Sequence, residues 1–282
     1  MTNDNYIATN KQAWEEAFDL RKSGYGDDVA QRLLSEKPLS FFEDDLQVLL
    51  KKIDIKDKTI AHFCCNNGRE LLSLMQAGAA HGVGFDIAEN ILEQARSIAK
   101  EAGIKNCEFV AGNILDIPNI KQDSHHDTYH STFDSHFDLI LFTIGALPWI
   151  HDLDALFQVV ARCLKPGGVL LIHEGHPITN MLAAPGEPSF NPDVLDKAVY
   201  PYFNREPWIE LAGLQYMTGG NKSLSQPLTS YVHNMGDIIT AIANNKLHIQ
   251  SLQEFDYDIG MLTEVYDKGL FPLSYILLAT KD

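Results

Sequence analysis

The chain has 282 residues, 45% of them hydrophobic and 21% charged, and 22 Lys and Arg against 38 Asp and Glu leave a formal charge of −16. This composition excludes a disordered, collagen-like or membrane-embedded chain, and the acidity works against nucleic acid, whose affinity comes largely from Lys and Arg displacing counterions. The four cysteines have neither disulfide-framework nor zinc-ribbon spacing, and the N-terminus lacks a basic start followed by an apolar stretch, so reduced thiols in a cytoplasmic protein are expected.

Residues 1–57 read as a helical cap, with Trp14, Phe18 and Leu20 in one segment and Leu33, Leu34, Phe41, Phe42, Leu46, Leu49 and Leu50 beyond it. From Thr59 short apolar runs alternate with amphipathic helices, the pattern of repeated βαβ units around a parallel sheet. TIAHFC is the first strand, closed by Asn66-Asn67-Gly68, and the helix after it carries Leu71, Leu72 and Met75. GVGFD, ending on Asp86, is the second. Ile91, Ala95, Ile98 and Ala102 then mark a helix that Gly103 stops. CEFVA at 107–111 and FDLILF at 137–142 are the third and fourth strands. The polar stretch between them, with His125, His126 and His130, reads as a surface loop. Leu153, Leu156, Phe157, Val160 and Leu164 form a helix ended by KPGG, and VLLIH is the fifth strand. Residues 175–233 hold seven prolines and little periodicity, as an insertion over the sheet would. A helix through Met235, Ile238, Ile239 and Ile242 and strands near 247–256 and 272–280 finish the chain.

Open α/β sheets bind ligands outside the carboxyl ends of their strands. There, FCCNNGRE offers backbone N–H groups beside a helix start, and Asp86, eighteen residues after Gly68, stands where an acid can accept ribose hydroxyls or cap the next helix. A dinucleotide turn needs glycines where Cys64 and Asn66 stand, and no GxxxxGK[ST] loop exists. A nucleoside cofactor without phosphates fits better.

IAHFCCNNG, GVGFDIAENILEQAR, CEFVAGNILDIP, FDLILFTIGALPWI and LKPGGVLLIHEGHP, in this order, resemble the successive motifs of class I S-adenosylmethionine-dependent methyltransferases, from about Thr59 to the C-terminus. The likeness is greater to a bacterial subgroup assigned to small-molecule methylation, on His62, Trp149 and Glu174-Gly175-His176-Pro177. The resemblance implies an α/β, Rossmann-like, mostly parallel seven-stranded sheet with helices on both faces, in a domain of residues 58–282 with S-adenosylmethionine as cofactor. It also implies that Asp86 holds the ribose, Ile87 packs on the adenine, and Asn113 and Ile114 frame its edge. Cys64, Asn66, Gly68 and Thr143 would line the methionine end. The family's first acid is His62 here, two of its glycines are Cys64 and Asn66, and its adenine-side acid is Asn113.

Methyl transfer from a sulfonium is an in-line displacement, so positioning carries much of the catalysis, with a base needed only for a protonated nucleophile. Candidate bases are His151 after the fourth strand, Glu174 and His176 after the fifth, and His233 before the last helix. His173 and Glu174 have the alternative of ending a strand, His176 of fixing a turn before Pro177, and His62 of a structural role. No Asn-Pro-Pro-Tyr-like segment follows the fourth strand, where Thr143-Ile144-Gly145-Ala146 stands, which argues against amide or base amino-group methylation. Acceptor choice is expected in the N-terminal helices and in 175–233, where Tyr200, Tyr202, Phe203, Trp208, Tyr216 and Tyr231 either line a lid or fill its own core. The partner expected is a small-molecule methyl acceptor, with neither nucleic acid nor membrane. The alternatives are a noncatalytic S-adenosylmethionine sensor or partner-binding protein and a nicotinamide oxidoreductase.

Overall fold

The computed structural model describes residues 3–119, 133–220, 222–260, 264–267 and 269–282. Its centre is a seven-stranded sheet built from β1 (Thr59–Phe63), β2 (His81–Asp86), β3 (Cys107–Ala111), β4 (Phe137–Phe142) and β5 (Leu164–Gly175) with two later strands, β8 (Leu247–Phe255) and β9 (Ser274–Lys281). The order is β3-β2-β1-β4-β5-β9-β8. Strands β1 to β5 run parallel; β9 is antiparallel to both β5 and β8. The strand order reverses between β1 and β4, so the ligand crevice opens at their carboxyl ends.

Strand alternation gives the sheet two cores. Ala61, Phe63, Val83, Phe85, Ile140, Phe142, Leu170 and Ile172 face α6 (Leu153–Cys163) and α8 (Met235–Asn244). On the other face, Ile60, Leu139, Leu141 and Leu171 meet α2 (Val29–Ser35), α3 (Asp44–Ile53), α4 (Arg69–Gln76) and α5 (Glu89–Glu101). Burial on both faces explains why these strands read as continuous apolar runs. The KPGG segment does not delay the fifth strand: β5 starts at Leu164 directly after α6, and its pairing with β4 shifts register between Phe137 and Leu139 to take up the turn.

The 1–57 segment divides. Helices α2 and α3 belong to the sheet's helical layer, whereas α1 (Asn3–Asp19) joins the insertion. The insertion contains a two-stranded antiparallel sheet, β6 (Trp208–Ala212) with β7 (Ser223–Ser230), and the short helix α7 (Gln215–Thr218). The Asn10 side chain lies against β7 as another strand would: its amide donates to Thr229 O at 2.8 Å and its oxygen accepts Thr229 N–H at 2.7 Å. Ala13, Ala17 and Phe18 pack with Met217, Leu224 and Leu228 and with Ala88 and Ile91 at the start of α5. This cap therefore rests on the carboxyl end of β2. No helix among the described residues is long and apolar enough to cross a membrane.

Candidate functional site

The chain leaves β1 through a turn in which Cys64 (φ 56°), Asn66 (φ 49°) and Gly68 (φ 73°) all adopt left-handed backbone. For Cys64 that conformation costs about 1–2 kcal/mol; asparagine tolerates it better. Two positions thus keep a glycine-type backbone without being glycine. Gly68 itself is needed for packing: a Cβ there would lie 2.5 Å from Phe109 Cε1 and 3.3 Å from Ala95 Cβ. Cys64 packs on the α6–α8 core and Cys65 is buried in the other, so the adjacent thiols face apart, and burial pushes both thiols up.

Asp86 ends β2 opposite this turn. Its Oδ2 accepts Asn66 N–H at 2.8 Å and its Oδ1 accepts Ala88 N–H at 3.1 Å. Burial pushes its carboxyl up against the pull of those peptide donors. Both oxygens are oriented by backbone, and each keeps acceptor capacity. Asn66 Oδ1 accepts Asn67 N–H at 2.8 Å and the Tyr25 hydroxyl at 3.1 Å, and Tyr216 lies 6.3 Å from the Tyr25 ring. Burial lifts the Tyr25 hydroxyl to about 12, so it stays a neutral donor.

Ile87, half-buried, follows Asp86 directly. Asn113 closes its own turn, with Oδ1 accepting Leu115 N–H at 3.2 Å and the amide 3.2 Å from Asp116 Oδ2, and Ile114 is buried in the sheet core. Thr143 Oγ1 lies 3.0 Å from His62 Nε2. Burial pushes His62 down to about 4, so it is neutral and ties β1 to the end of β4.

The four candidate bases fall into two groups. Glu174 accepts Gly145 N–H (2.6 Å), Gly175 N–H (2.9 Å), Ala146 N–H (2.9 Å) and Leu147 N–H (3.2 Å). His176 accepts Ile178 N–H at Nδ1 (3.1 Å), with Nε2 2.9 Å from Glu254 Oε1, and burial holds it below its ordinary value. Both side chains serve internal turns. His151 and His233 instead line one groove of about 650 Å³ between the starts of α6 and α8, together with Asp152, Phe203, Arg205 and Asp237. His233 Nε2 donates to Ile150 O at 2.7 Å, and the exposed His151 ring packs on Tyr231 at 4.6 Å. His125, His126 and His130 lie outside the described residues.

A family model described as a methyltransferase domain matches residues 56–195. The demethylmenaquinone methyltransferase of Lactococcus lactis is 27% identical over 178 residues, 62% of this chain and 64% of that protein. An uncharacterized RNA methyltransferase of Clostridium tetani is 32% identical over 112 residues, 35% of this chain and 24% of that protein. The chain thus spans less than two thirds of either relative's length. An S-adenosylmethionine-dependent methyltransferase structure from Mesorhizobium loti covers 83% of this chain and 96% of its own, with TM-score 0.57 and 19% identity, a likeness of fold. The chain carries a class I S-adenosylmethionine-dependent methyltransferase domain.

S-adenosylmethionine is the methyl donor of this family. The residues present fit it: a backbone-oriented carboxylate ends β2, and the adjoining turn keeps left-handed backbone at all three family glycine positions. The methyltransferase domain sets aside the nicotinamide alternative. Of the cap aromatics, Trp208 packs on Tyr200 within the insertion (5.4 Å), and the Tyr202 hydroxyl accepts Met235 N–H (3.1 Å), which ties the insertion to the start of α8. Tyr216 reaches Tyr25 beside the turn after β1, and Tyr231 reaches His151. Tyr25 is the site residue that sequence reading missed. It sits in a loop without periodicity or motif, and only its hydrogen bond to Asn66 reveals it.

Proposed function

We propose that this protein transfers a methyl group from S-adenosylmethionine to an O, N or S nucleophile of a small molecule. The observation that carries the reading is the Asp86 carboxylate, oriented by Asn66 N–H and Ala88 N–H at the mouth of the left-handed turn. Asp86 would hold the ribose, Ile87 the adenine face, and Asn113 with Ile114 the adenine edge. Cys64, Asn66, Gly68 and Thr143 would line the methionine end. When bound, S-adenosylmethionine supplies an electrophilic methyl on a sulfonium. The cap formed by α1 and the insertion packs on Ala88 and Ile91 beyond β2, where it would shield a bound cofactor from water and favour a positioned reaction.

The groove beside His151 and His233 is the proposed acceptor site. Burial holds His233 below its ordinary value, and its Nε2–H is spent on Ile150 O, which leaves Nδ1 as a neutral proton acceptor at pH 7. Glu174 and His176 are less suited to this role, because their acceptor atoms already serve peptide N–H groups. The groove's Arg205 is paired to Asp237 at 2.5 Å, and the chain carries −16 overall, so a small acceptor is favoured over RNA.

The test is calorimetry with S-adenosylmethionine and S-adenosylhomocysteine, followed by labelled methyl transfer to hydroxyl, amine and thiol acceptors. Binding with turnover is expected, and His233→Asn should lower turnover about 100-fold or more while cofactor affinity holds. No binding defeats the reading. Binding without turnover on any acceptor favours a noncatalytic sensor, the reading that the commitment of Glu174 and His176 to internal turns supports.

A further inference from the structure

The segment after β4, Thr143 to Trp149, joins two parts of the proposed site. Thr143 meets His62 at the cofactor side, and Trp149 packs edge-on against Trp14 of the cap at 5.3 Å, two residues before His151. Three successive peptide N–H groups of this turn, at Gly145, Ala146 and Leu147, point at one side chain. Ala146 and Leu147 are buried, so water cannot replace that partner. The partner is Glu174, itself buried at the end of β5, and Gly175 N–H supplies a fourth donor.

We propose that Glu174 is a positioning residue for methyl transfer: its ionised carboxylate fixes the turn after β4, and through it sets Thr143 beside the cofactor turn and Trp149 and His151 beside the cap and acceptor groove. The inference rests on the methyltransferase reading of the site. Four donors converging on two oxygens require an acceptor-only group. A protonated carboxyl, or the amide of glutamine, aims a hydrogen at a peptide N–H and leaves a buried donor without a partner.

The surroundings make Glu174 the group that responds near neutral pH. Burial pushes its carboxyl up to about 6, against the lowering pull of the four N–H groups. Residues 143–149 carry no ionisable side chain. From β9 the buried Tyr275 hydroxyl faces it, and from the end of β1 the Cys64 thiol; burial pushes both up, so both stay neutral. His62 and His173 are held at about 4. His176, 6.1 Å from the Tyr275 ring and beside Glu254, and Asp86 at the end of β2, whose carboxyl burial also pushes up, are the remaining groups able to gain a proton near the site.

The experiment is S-adenosylhomocysteine calorimetry from about pH 5 to 8 on the full chain and on Glu174→Gln, with Trp149 emission followed in a Trp14→Phe, Trp208→Phe background. For the unaltered chain, Kd should be constant above about pH 6.5 and rise toward tenfold per pH unit below about 6, with Trp149 emission shifting at the same midpoint. Glu174→Gln should bind about tenfold or more weakly at pH 7.5, with the Trp149 transition near pH 6 abolished and a cooperative melt. Affinity like that of the unaltered chain in Glu174→Gln, or a Trp149 transition near pH 6 retained there, which would belong to His176 or Asp86, overturns the proposal. If Glu174→Gln fails to fold, the Trp149 midpoint near pH 6 in the unaltered chain decides, with His176→Asn and Asp86→Asn as the controls that must keep it. If the unaltered chain binds no S-adenosylhomocysteine at any pH, the methyltransferase reading fails. The positioning role then stands or falls on whether the Trp149 transition exists.

Discussion

Replacing Gly68 by alanine separates the two reasons a glycine stands in the turn after β1. The backbone there has φ 73°, which costs a residue with a Cβ about 1–2 kcal/mol. The new methyl also lies 2.5 Å from Phe109 Cε1 and 2.8 Å from Cζ, and relieving such overpacking costs about 1–3 kcal/mol. Reduced freedom of the unfolded chain returns about 0.4–1 kcal/mol. The net expectation is a loss of about 1–4 kcal/mol, read from urea unfolding followed by circular dichroism at constant m-value. Phe109 is buried between α5 and the turn, so Phe109→Leu removes the ring that the methyl strikes. In that background the Gly68→Ala penalty should shrink to the backbone cost less the same unfolded-chain return, about 0–1.6 kcal/mol, giving a coupling of about 1 kcal/mol or more. A penalty equal in both backgrounds would refute the packing role, and a net gain of about 0.4 kcal/mol or more in both would refute the strain as well.

Asp86→Asn removes a charge and sets an amide N–H against a peptide donor, so S-adenosylhomocysteine affinity should fall about 30- to 100-fold, or about 2–3 kcal/mol; a change under about threefold in calorimetry would contradict the ribose role. His173 is buried with Nε2 unpartnered, and burial holds it at about 4 against about 6.5 in an unfolded chain, with Asp45 opposing weakly. The native state thus binds fewer protons than the unfolded chain between these values. The stability contributed is complete above about pH 6.5 and falls as pH drops toward 4, by up to about 1.4 kcal/mol per unit. His173→Leu should therefore gain stability relative to the unaltered chain by about 1 kcal/mol between pH 7.5 and 5.5, whereas parallel losses in the two proteins would exclude His173 as a source of that slope.

The sheet was legible because its strands obey rules that a sequence displays. Thr59–Phe63, Phe137–Phe142 and Leu164–Gly175 are apolar where both faces are covered, and Asp86 stops β2 where the crevice opens. The β6–β7 hairpin was not legible. Along β6, Ile209, Glu210 and Leu211 are all exposed, so no apolar alternation marks it, and its support from Asn10 comes from 219 residues away along the chain. For the same reason α1 could not be parted from α2 and α3. All three read as helix, and only the partners of Ala13, Ala17 and Phe18 assign α1 to the cap. Glu174 shows the limit for the site. Its residue type and place suggested a base, but its partners are peptide N–H groups, which leave no trace in a sequence.

The departures at Cys64 and Asn66 look in sequence like the erosion of a cofactor motif, yet the backbone at both positions is still left-handed. The strain of a Cβ there persists only if surrounding structure fixes the turn more firmly than glycine would require. That structure is present. Asn66 N–H is held by Asp86, its side-chain oxygen by Asn67 N–H and Tyr25, and Cys64 by apolar packing against the sheet core. A glycine at position 66 has no side chain to accept the Tyr25 hydroxyl. Asparagine thus trades backbone ease for a direct tie between the cofactor turn and the chain that leaves α1, so the turn and the cap are set together.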